Sequence, residues 1–132
     1  MKDSIIINLT PHNVALYVKE DCEEIRKGNY VTLSPKNGVT PWEVFPASGT
    51  VARATEKREV VRHISIKGKV FEIARKCYSK PDGLPDPQPD TLFLVSALTA
   101  QAAPERNDLI VVEGACRDAE GKICGCTAFA VI

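Results

Sequence analysis

The stretch TLFLVSALTAQAAPERND, residues 91–108, changes from a strand pattern to a helix pattern within a few positions. Residues 91–95 are an apolar run that predicts a buried strand, and the alanine-rich residues 97–103 predict a short helix. Ser96 stands between them, where its hydroxyl can accept a hydrogen bond from the first helical turn. No other segment predicts a strand followed by a helix, so we expect the fold to be organised around this one.

Apolar side chains on and beside this stretch predict the centre of the core. They are Leu92, Leu94, Leu98 and Leu109. Burying each stabilises the fold by about 1.5–3 kcal/mol. The 132 residues predict a single domain, 1–132, which can bury about two thirds of its unfolded surface.

The remainder of the chain reads as short strands separated by turns and proline-rich loops. The predicted strands are residues 4–9, 14–18, 29–33, 50–55, 59–66, 69–74, 109–113, 115–117 and 123–130. Strands 4–9 and 14–18 are candidates for a hairpin, and Lys67-Gly68 marks another, whereas the charged segment 19–28 reads as a loop or an exposed helical turn. We therefore predict an α+β fold, with a mainly antiparallel, curved sheet or partial barrel packed on one short helix.

Charge and hydropathy exclude several classes of partner. The 17 Lys and Arg residues balance the 17 Asp and Glu residues, which argues against a nucleic-acid polymer or an anionic membrane as partner. No apolar run approaches the roughly 18 residues that span a bilayer. The start, MKDSIIINLT, lacks the cleavage site of a signal peptide, so we expect a cytoplasmic protein with no membrane contact.

The five cysteines have irregular spacing. They are Cys22, Cys77, Cys116, Cys124 and Cys126. Cys124 and Cys126 would share one face of a strand, and Cys116 on a partner strand could complete a thiolate cluster for a soft metal. No second ligand pair supports zinc, so small buried thiols in a reducing compartment are the favoured interpretation. We predict no metal and no cofactor.

Polar groups beside turns predict a site for an anion. The amides after Ser96 would point out of the start of the helix, and Arg106 could form a fork onto phosphate or carboxylate while Asp108 orients it. Arg53 stands among small apolar residues and could point inward as an anion receptor. The alternatives are a plain helix cap at Ser96, an edge-strand solubilising role for Arg53, and an Arg106–Asp108 surface pair.

Two further segments add receptors for rings and hydroxyls. Trp42 and Phe45 offer flat faces for stacking, although the favoured interpretation is that both are core anchors of a long loop. Ser48 and Gly49 offer a hydroxyl and freely turning backbone amides.

Asn8 and His12 lie on either side of Pro11, where they could bind ribose hydroxyls. His12 could instead act as a general base, or hold a turn through local hydrogen bonds. The chain lacks G-x-S-x-G, P-loop, G-x-G-x-x-G and H-E-x-x-H motifs. It therefore offers anion and ring receptors more readily than a nucleophile with its base.

Three blocks give the chain a resemblance to a group of small bacterial and bacteriophage proteins. The blocks are INLTPHNV (7–14), FPASGTVAR (45–53) and LVSALTAQAAPERNDLIVVEG (94–114). The group shares an INLTPH start, a PPSG…AR segment and a VS…A…P.R.DL segment, and this chain departs by one alanine, Ala47. The resemblance implies a compact cytoplasmic protein of phage-carried type and brings no activity with it.

These observations predict a protein that binds a small anionic ligand, a nucleotide or nucleotide-derived signal. By analogy with small phage proteins that sequester such signals of host immunity, the binding would be sequestration. One alternative is a small hydrolase or transferase acting on a nucleotide-like substrate, with His12 as base and Arg53 and Arg106 stabilising developing charge. The other is a non-catalytic protein whose exposed strand edges assemble a homo-oligomer. The ligand hypothesis requires that Arg53, Arg106 and the start of the helix meet in one pocket.

Overall fold

The structure, a computed structural model, describes residues 2–132. This part of the chain contains twelve strands, one short α-helix and a 3₁₀ turn at Lys19–Asp21. In chain order the strands and helix are β1 (Ile5–Asn8), β2 (Val14–Leu16), β3 (Cys22–Lys27), β4 (Tyr30–Pro35), β5 (Glu43–Phe45), β6 (Glu56–Ile66), β7 (Lys69–Tyr78), β8 (Thr91–Leu94), α1 (Ala97–Gln101), β9 (Leu109–Glu113), β10 (Cys116–Arg117), β11 (Ile123–Gly125) and β12 (Ala128–Ala130). Within residues 2–132, no helix has the length and apolar character needed to cross a membrane.

A mixed four-stranded sheet, in the order β1-β8-β9-β12, forms the centre of the fold. Strands β1 and β9 both run parallel to β8, and only β12 is antiparallel to its neighbour. The expectation of a mainly antiparallel sheet is therefore wrong for the centre. The reason is the strand–helix–strand unit β8-α1-β9, because a crossover helix returns the chain to start a parallel strand.

The other strands form a second four-stranded sheet, in the order β11-β10-β4-β3, and two two-stranded sheets, β2-β5 and β6-β7; within residues 2–132, no sheet closes into a barrel. The first two predicted strands do not form a hairpin, because β1 pairs with β8 and β2 pairs with β5. The charged segment is also corrected, since after the 3₁₀ turn it becomes β3, which pairs with β4. The hairpin at Lys67-Gly68 is confirmed as β6-β7, with both turn residues at positive φ, 49° and 83°. The coarse α+β class is confirmed.

The core lies between β8, β9 and α1, with side chains from the segments before β2 and before β6. Its buried members include Leu9, Ala52, Phe93, Val95, Ala100, Leu109 and Val111. Leu94 and Leu109 are buried as predicted, whereas Leu98 is 50% exposed. The helix instead turns Thr99 and Ala100 inward, because small side chains allow this short helix to lie close to the sheet.

Candidate functional site

Backbone hydrogen bonds hold together three segments that are far apart in sequence. They are residues 8–12, 47–53 and 94–99. The N–H of Leu9 donates to the carbonyl of Leu94 at 2.8 Å, and the N–H of Ala52 donates to the carbonyl of Leu9 at 3.0 Å. The hydroxyl of Thr99 donates to the carbonyl of Ala52 at 3.1 Å. The segments therefore meet beyond the carboxyl ends of β1 and β8, the edge of a parallel pair where α/β proteins commonly bind ligands.

A cavity of about 320 Å³ lies where these segments meet. Its apolar lining includes Pro11, Val51 and Leu98, while Arg53 contributes the one cation among the described lining residues. Hydroxyls of three further residues, Thr10, Ser96 and Thr99, complete the polar lining. The volume lies near the lower end of the range for small-molecule pockets, about 300–1,000 Å³.

Arg53 reaches this cavity because its backbone is held at two points. Its N–H and carbonyl pair with Asp82 at 3.0 and 2.9 Å, an isolated antiparallel bridge that keeps the residue extended. The side chain is exposed and forms no hydrogen bond or ion pair with any residue of 2–132. Its guanidinium therefore keeps all its donors available for an oxygen anion.

The hydroxyls that line the cavity donate their hydrogen bonds to other groups of the protein. Ser96 caps α1, as predicted: its hydroxyl accepts from the Thr99 N–H at 3.3 Å and donates to the Thr99 hydroxyl at 2.9 Å. Thr99 donates onward to Ala52, and the Thr10 hydroxyl donates to Asn8 Oδ1 at 2.6 Å. Thr99 is only 1% exposed, whereas Ser96 is exposed and Thr10 is half-buried. The unused lone pairs of Thr10 and Ser96 are therefore the acceptors that the cavity presents next to the donors of Arg53.

Asn8 organises the loop below the cavity instead of binding a ligand. Its Nδ2 donates to the carbonyls of His12 and Phe45 at 2.8 and 3.0 Å. Its Oδ1 accepts from the Thr10 N–H and the Thr10 hydroxyl at 2.9 and 2.6 Å. The side chain is 2% exposed and its four hydrogen-bonding positions are filled, so the predicted ligand role of Asn8 is corrected.

His12, Ser48 and Gly49 belong to the segments that build the cavity but do not line it. His12 is exposed, and its imidazole has no hydrogen-bond partner among the described residues. The Ser48 hydroxyl donates to the carbonyl of Thr50 at 3.2 Å, which closes a local turn, and Gly49 takes φ 95° within it. These three residues shape the loop, and none of them is placed to contact a ligand in the cavity.

The two aromatic residues proposed for stacking lie away from the cavity. Trp42 is 76% exposed, which also excludes a role as a core anchor. Phe45 packs edge-on against Phe129, with ring centroids 6.0 Å apart and an interplanar angle of 66°. Phe45 is therefore half-buried against Phe129 outside the main core, and neither aromatic ring lines the cavity beside Arg53.

Arg106 and Asp108 form a pair with each other. Arg106 donates through Nε and Nη2 to the two carboxylate oxygens of Asp108 at 2.9 and 2.8 Å, and both side chains are nearly buried. The hydrogen bonds from Arg106 hold the pKa of Asp108 below its ordinary value. Arg106 lines a different cavity, near Val131 and Ile132. The expectation that Arg53 and Arg106 share a pocket is therefore wrong, because a carboxylate two residues away already occupies the Arg106 fork.

All five cysteines are free thiols, and they lie in or beside strands outside the central sheet. Cys22 Sγ and Cys116 Sγ are 3.9 Å apart, and the Cys126 thiol contacts the carbonyl of Ala15. Burial, with a smaller effect of the hydrogen bond to Cys22, raises the pKa of Cys116 to about 12. Among residues 2–132, no group of three or more His, Cys, Asp and Glu side chains has a geometry that could hold a metal ion.

The structure thus brings Arg53 and Ser96 together and adds Thr10 and Thr99, which the sequence analysis did not single out. Both have a local signal: Thr10 follows the end of a strand directly, and Thr99 lies one helical turn after the cap. Comparison of the chain with protein-family models, curated protein sequences and solved structures finds no match.

Proposed function

We propose that this protein binds a small organic anion, a nucleotide or nucleotide-derived signal, in the cavity beside Arg53. The observation that carries the proposal is an arginine with no partner among the described residues at a cavity built by three separate segments. A guanidinium recognises phosphate and carboxylate oxygens through paired, charge-assisted hydrogen bonds. The anionic group of the ligand would therefore lie against Arg53.

The hydroxyl oxygens narrow the class of ligand. Thr10 and Ser96 offer acceptors and have no protons to spare, so they favour a ligand that donates hydrogen bonds, as sugar hydroxyls do. Pro11 and Leu98 supply an apolar wall against which a sugar or base could pack. An anionic group, hydroxyl donors and a flat apolar body together describe a nucleotide.

The resemblance noted from the sequence points to the same place. The blocks that carry it contribute Thr10 and Pro11, the stretch from Val51 to Arg53, and Ser96 to Thr99. The cavity is thus lined by parts of all three blocks that carry the expected resemblance to small bacterial and bacteriophage proteins.

Binding without chemistry fits the lining better than catalysis. Among the described lining residues there is no histidine, cysteine or carboxylate to serve as nucleophile or base. His12, the base of the hydrolase alternative, does not line the cavity, and its exposed ring has no orienting partner within residues 2–132. Sequestration of an intact ligand is therefore the form of the function that we propose.

Calorimetric titration with a panel of mononucleotides, cyclic nucleotides, ribose 5-phosphate and inorganic phosphate tests the proposal. We expect heat with at least one of these ligands, and a loss of affinity of about 10- to 100-fold in Arg53→Ala. Arg26→Ala is the matched control, because Arg26 is also an exposed arginine but lies on β3 and does not line the cavity. Absence of heat with every ligand, or equal affinity in the two variants, would contradict the proposal.

The same samples separate binding from turnover. After incubation and denaturation, mass spectrometry of the released ligand should recover it unchanged. A hydrolysed or transferred product that disappears in His12→Ala would replace the proposal with the hydrolase alternative. Intact ligand together with unchanged affinity in His12→Ala would support sequestration.

A further inference from the structure

Strands β6 and β7 form a two-stranded arm that pairs with no other strand among the described residues. Every residue of β6 is exposed, and in β7 only Ile73 and Ala74 are half-buried. The arm joins the remainder of the protein at its base, where the N–H of Ser79 donates to the carbonyl of Thr55 at 2.9 Å. We refer to residues 56–78 as the arm and to the rest of the chain as the body.

The arm exposes more apolar surface than an isolated ribbon needs. Seven of its large apolar side chains are exposed: Val60, Val61, Ile64, Ile66, Val70, Phe71 and Tyr78. A two-stranded hairpin on its own is only marginally stable in water, and contiguous exposed apolar patches mark interaction sites. We therefore expect another molecular surface to cover part of the arm.

Its two faces differ in character. Residues directly opposite in the register share a face, so Ile64 and Phe71 lie together, flanked by the Arg62–Ile73 and Ile66–Lys69 pairs. We call this the apolar face of the arm. Beyond these pairs the face continues with Glu59–Arg75 and Lys57–Cys77, and none of its four cations, Lys57, Arg62, Lys69 and Arg75, has an ion-pair partner among residues 2–132.

The opposite face satisfies its own charges. Arg58 pairs with Glu72 at 3.3 Å, and Lys76 pairs with Glu56 at 3.4 Å. The cross-strand pairs of this face include Ser65 with Val70. The opposite face also exposes Val60, Val70 and Tyr78, but its cations are paired, so only the apolar face combines uncovered apolar side chains with unpaired cations.

The chain has no net charge, but positive charge is concentrated in the arm and negative charge in the body. The arm contains seven Lys or Arg and three Glu, a net charge of +4. Because the whole chain has 17 of each sign, the body has ten against fourteen, a net charge of −4. Two arms repel each other, whereas an arm and a body attract.

We propose that the protein forms a two-fold dimer in which the apolar face of each arm lies on the body of the second copy. Such an exchange covers both arms and twice brings an arm of net charge +4 against a body of net charge −4. A ribbon of ten pairs is about 34 Å long, and one face about 10 Å wide covers about 340 Å². Two reciprocal contacts then bury about 1,400 Å² over both copies, which is within the range of stable interfaces.

The composition of the apolar face favours a protein partner over a nucleic acid. Phosphate recognition needs cations along the whole surface, whereas here Ile64 and Phe71 occupy the centre and the cations flank them. Apolar residues inside a polar rim are the usual arrangement of a protein interface. Nucleic-acid binding by a monomer is accordingly the competing outcome.

Sedimentation velocity of the intact chain over a range of concentrations tests the dimer. We expect a concentration-dependent dimer that weakens as salt is raised. Ile64→Ser and Phe71→Ser should each weaken dimerisation at least tenfold, while Val70→Ser, the same kind of change on the opposite face, should leave it within twofold. Circular dichroism of all variants checks that the body remains folded. A monomer at every concentration, or equal effects on both faces, would overturn the proposal.

A full-length chain carrying both Ile64→Ser and Phe71→Ser, shown by circular dichroism to be folded, distinguishes arm-to-body from arm-to-arm contact. Alone it should be monomeric at concentrations where the intact chain is a dimer, because its arms lack the apolar face. Mixed with the intact chain it should be captured into mixed dimers, since its body still accepts an arm. Failure of that capture while the intact chain dimerises would overturn the arm-to-body geometry, and binding of duplex DNA by a monomeric intact chain would replace it with a nucleic-acid interface.

Discussion

Arg106 and Asp108, two residues apart in sequence, form a two-point ion pair, with Nε and Nη2 of the arginine at 2.9 and 2.8 Å from the two carboxylate oxygens. The guanidinium also lies 5.9 Å from the ring centroid of Phe93, which is fully buried on the central strand. Arg106 therefore supports the edge of the core. This pairing leaves Arg53 as the arginine available to a ligand among the two that the sequence proposed.

Breaking this pair should destabilise the fold without removing ligand binding. Arg106→Ala leaves a nearly buried carboxylate unpaired, and we expect the free energy of unfolding to fall by about 3 kcal/mol. Arg106→Lys should restore only part of the loss, because an ammonium cannot contact both carboxylate oxygens in the same fork. Urea denaturation measures both changes, and stability unchanged in Arg106→Ala would show that the pair does not support the core.

The same pair predicts how stability responds to acid. Hydrogen bonds from Arg106 lower the pKa of Asp108 in the folded state below 3.8, the ordinary value that applies to the unfolded chain. The stabilisation is therefore complete above that pH and is lost as the pH falls through the folded pKa. Asp108→Asn should show a shallower loss of stability in this acid range than the unchanged protein. Parallel acid profiles of the two proteins would contradict the prediction.

A side chain added at Gly83 should lower the stability of the protein and also disturb the cavity. It has φ +78°, and an added Cβ would lie 2.6 Å from the carbonyl oxygen of Val51, a residue of the cavity wall. Gly83→Ala should therefore cost more than the about 1–2 kcal/mol of a positive φ alone and should weaken ligand binding. Gly38→Ala is the control, because Gly38 has φ +81° with open space around it. Equal stability losses at the two positions would show that the Val51 contact relaxes freely.

Ser96 and Thr99 should contribute different amounts to the stability of the fold. Ser96→Ala removes the cap of α1 and should lower stability by about 1 kcal/mol. Thr99→Val removes the hydroxyl that bonds the carbonyl of Ala52 at 3.1 Å inside the protein, so we expect a loss of about 1–3 kcal/mol. Because Ala52 precedes Arg53, Thr99→Val should also reduce ligand affinity. Thermal unfolding and calorimetry on both variants check this order.

Cys116 should make the protein sensitive to alkali. Burial raises its folded pKa from 9.0 to about 12, so stability is complete below pH 9 and declines as the pH rises toward 12. The expected slope is about 1.4 kcal/mol per pH unit within this window. Cys116→Ala should flatten the decline in part, since burial also raises the pKa of Cys126. A profile identical in the variant and the unchanged protein would contradict the prediction.

Local patterns were sufficient to predict the strand–helix–strand unit, the Ser96 cap and the β6-β7 hairpin. Each depends on residues adjacent in sequence, where propensity and turn chemistry decide the outcome. The parallel pairing of β1 with β8 was not predictable in this way, because nothing in Ile5–Asn8 specifies a partner more than eighty residues away. Long-range register is decided by which apolar faces can be buried together, which single segments do not reveal.

The site residues, too, were predictable where local sequence decides their role and not where distant residues do. Sequence pattern identified Arg53 and Ser96 as polar groups beside turns, and both line the cavity. It overestimated Asn8 and Arg106, because their partners, such as the carbonyl of Phe45 and the carboxylate of Asp108, become visible only when hydrogen bonds can be counted. A polar residue type predicts the capacity to bind, and the fold decides whether that capacity is already used.

Amide and arginine side-chain NMR spectra recorded while a nucleotide or inorganic phosphate is added give the most direct test of the cavity beside Arg53. We expect the Arg53 Nε–H signal and the amides of Thr10, Ala52 and Leu98 to shift together and to saturate, while the Arg106 signal stays in place. Signals that do not move with any anion, or shifts confined to residues around Arg106, would contradict the account.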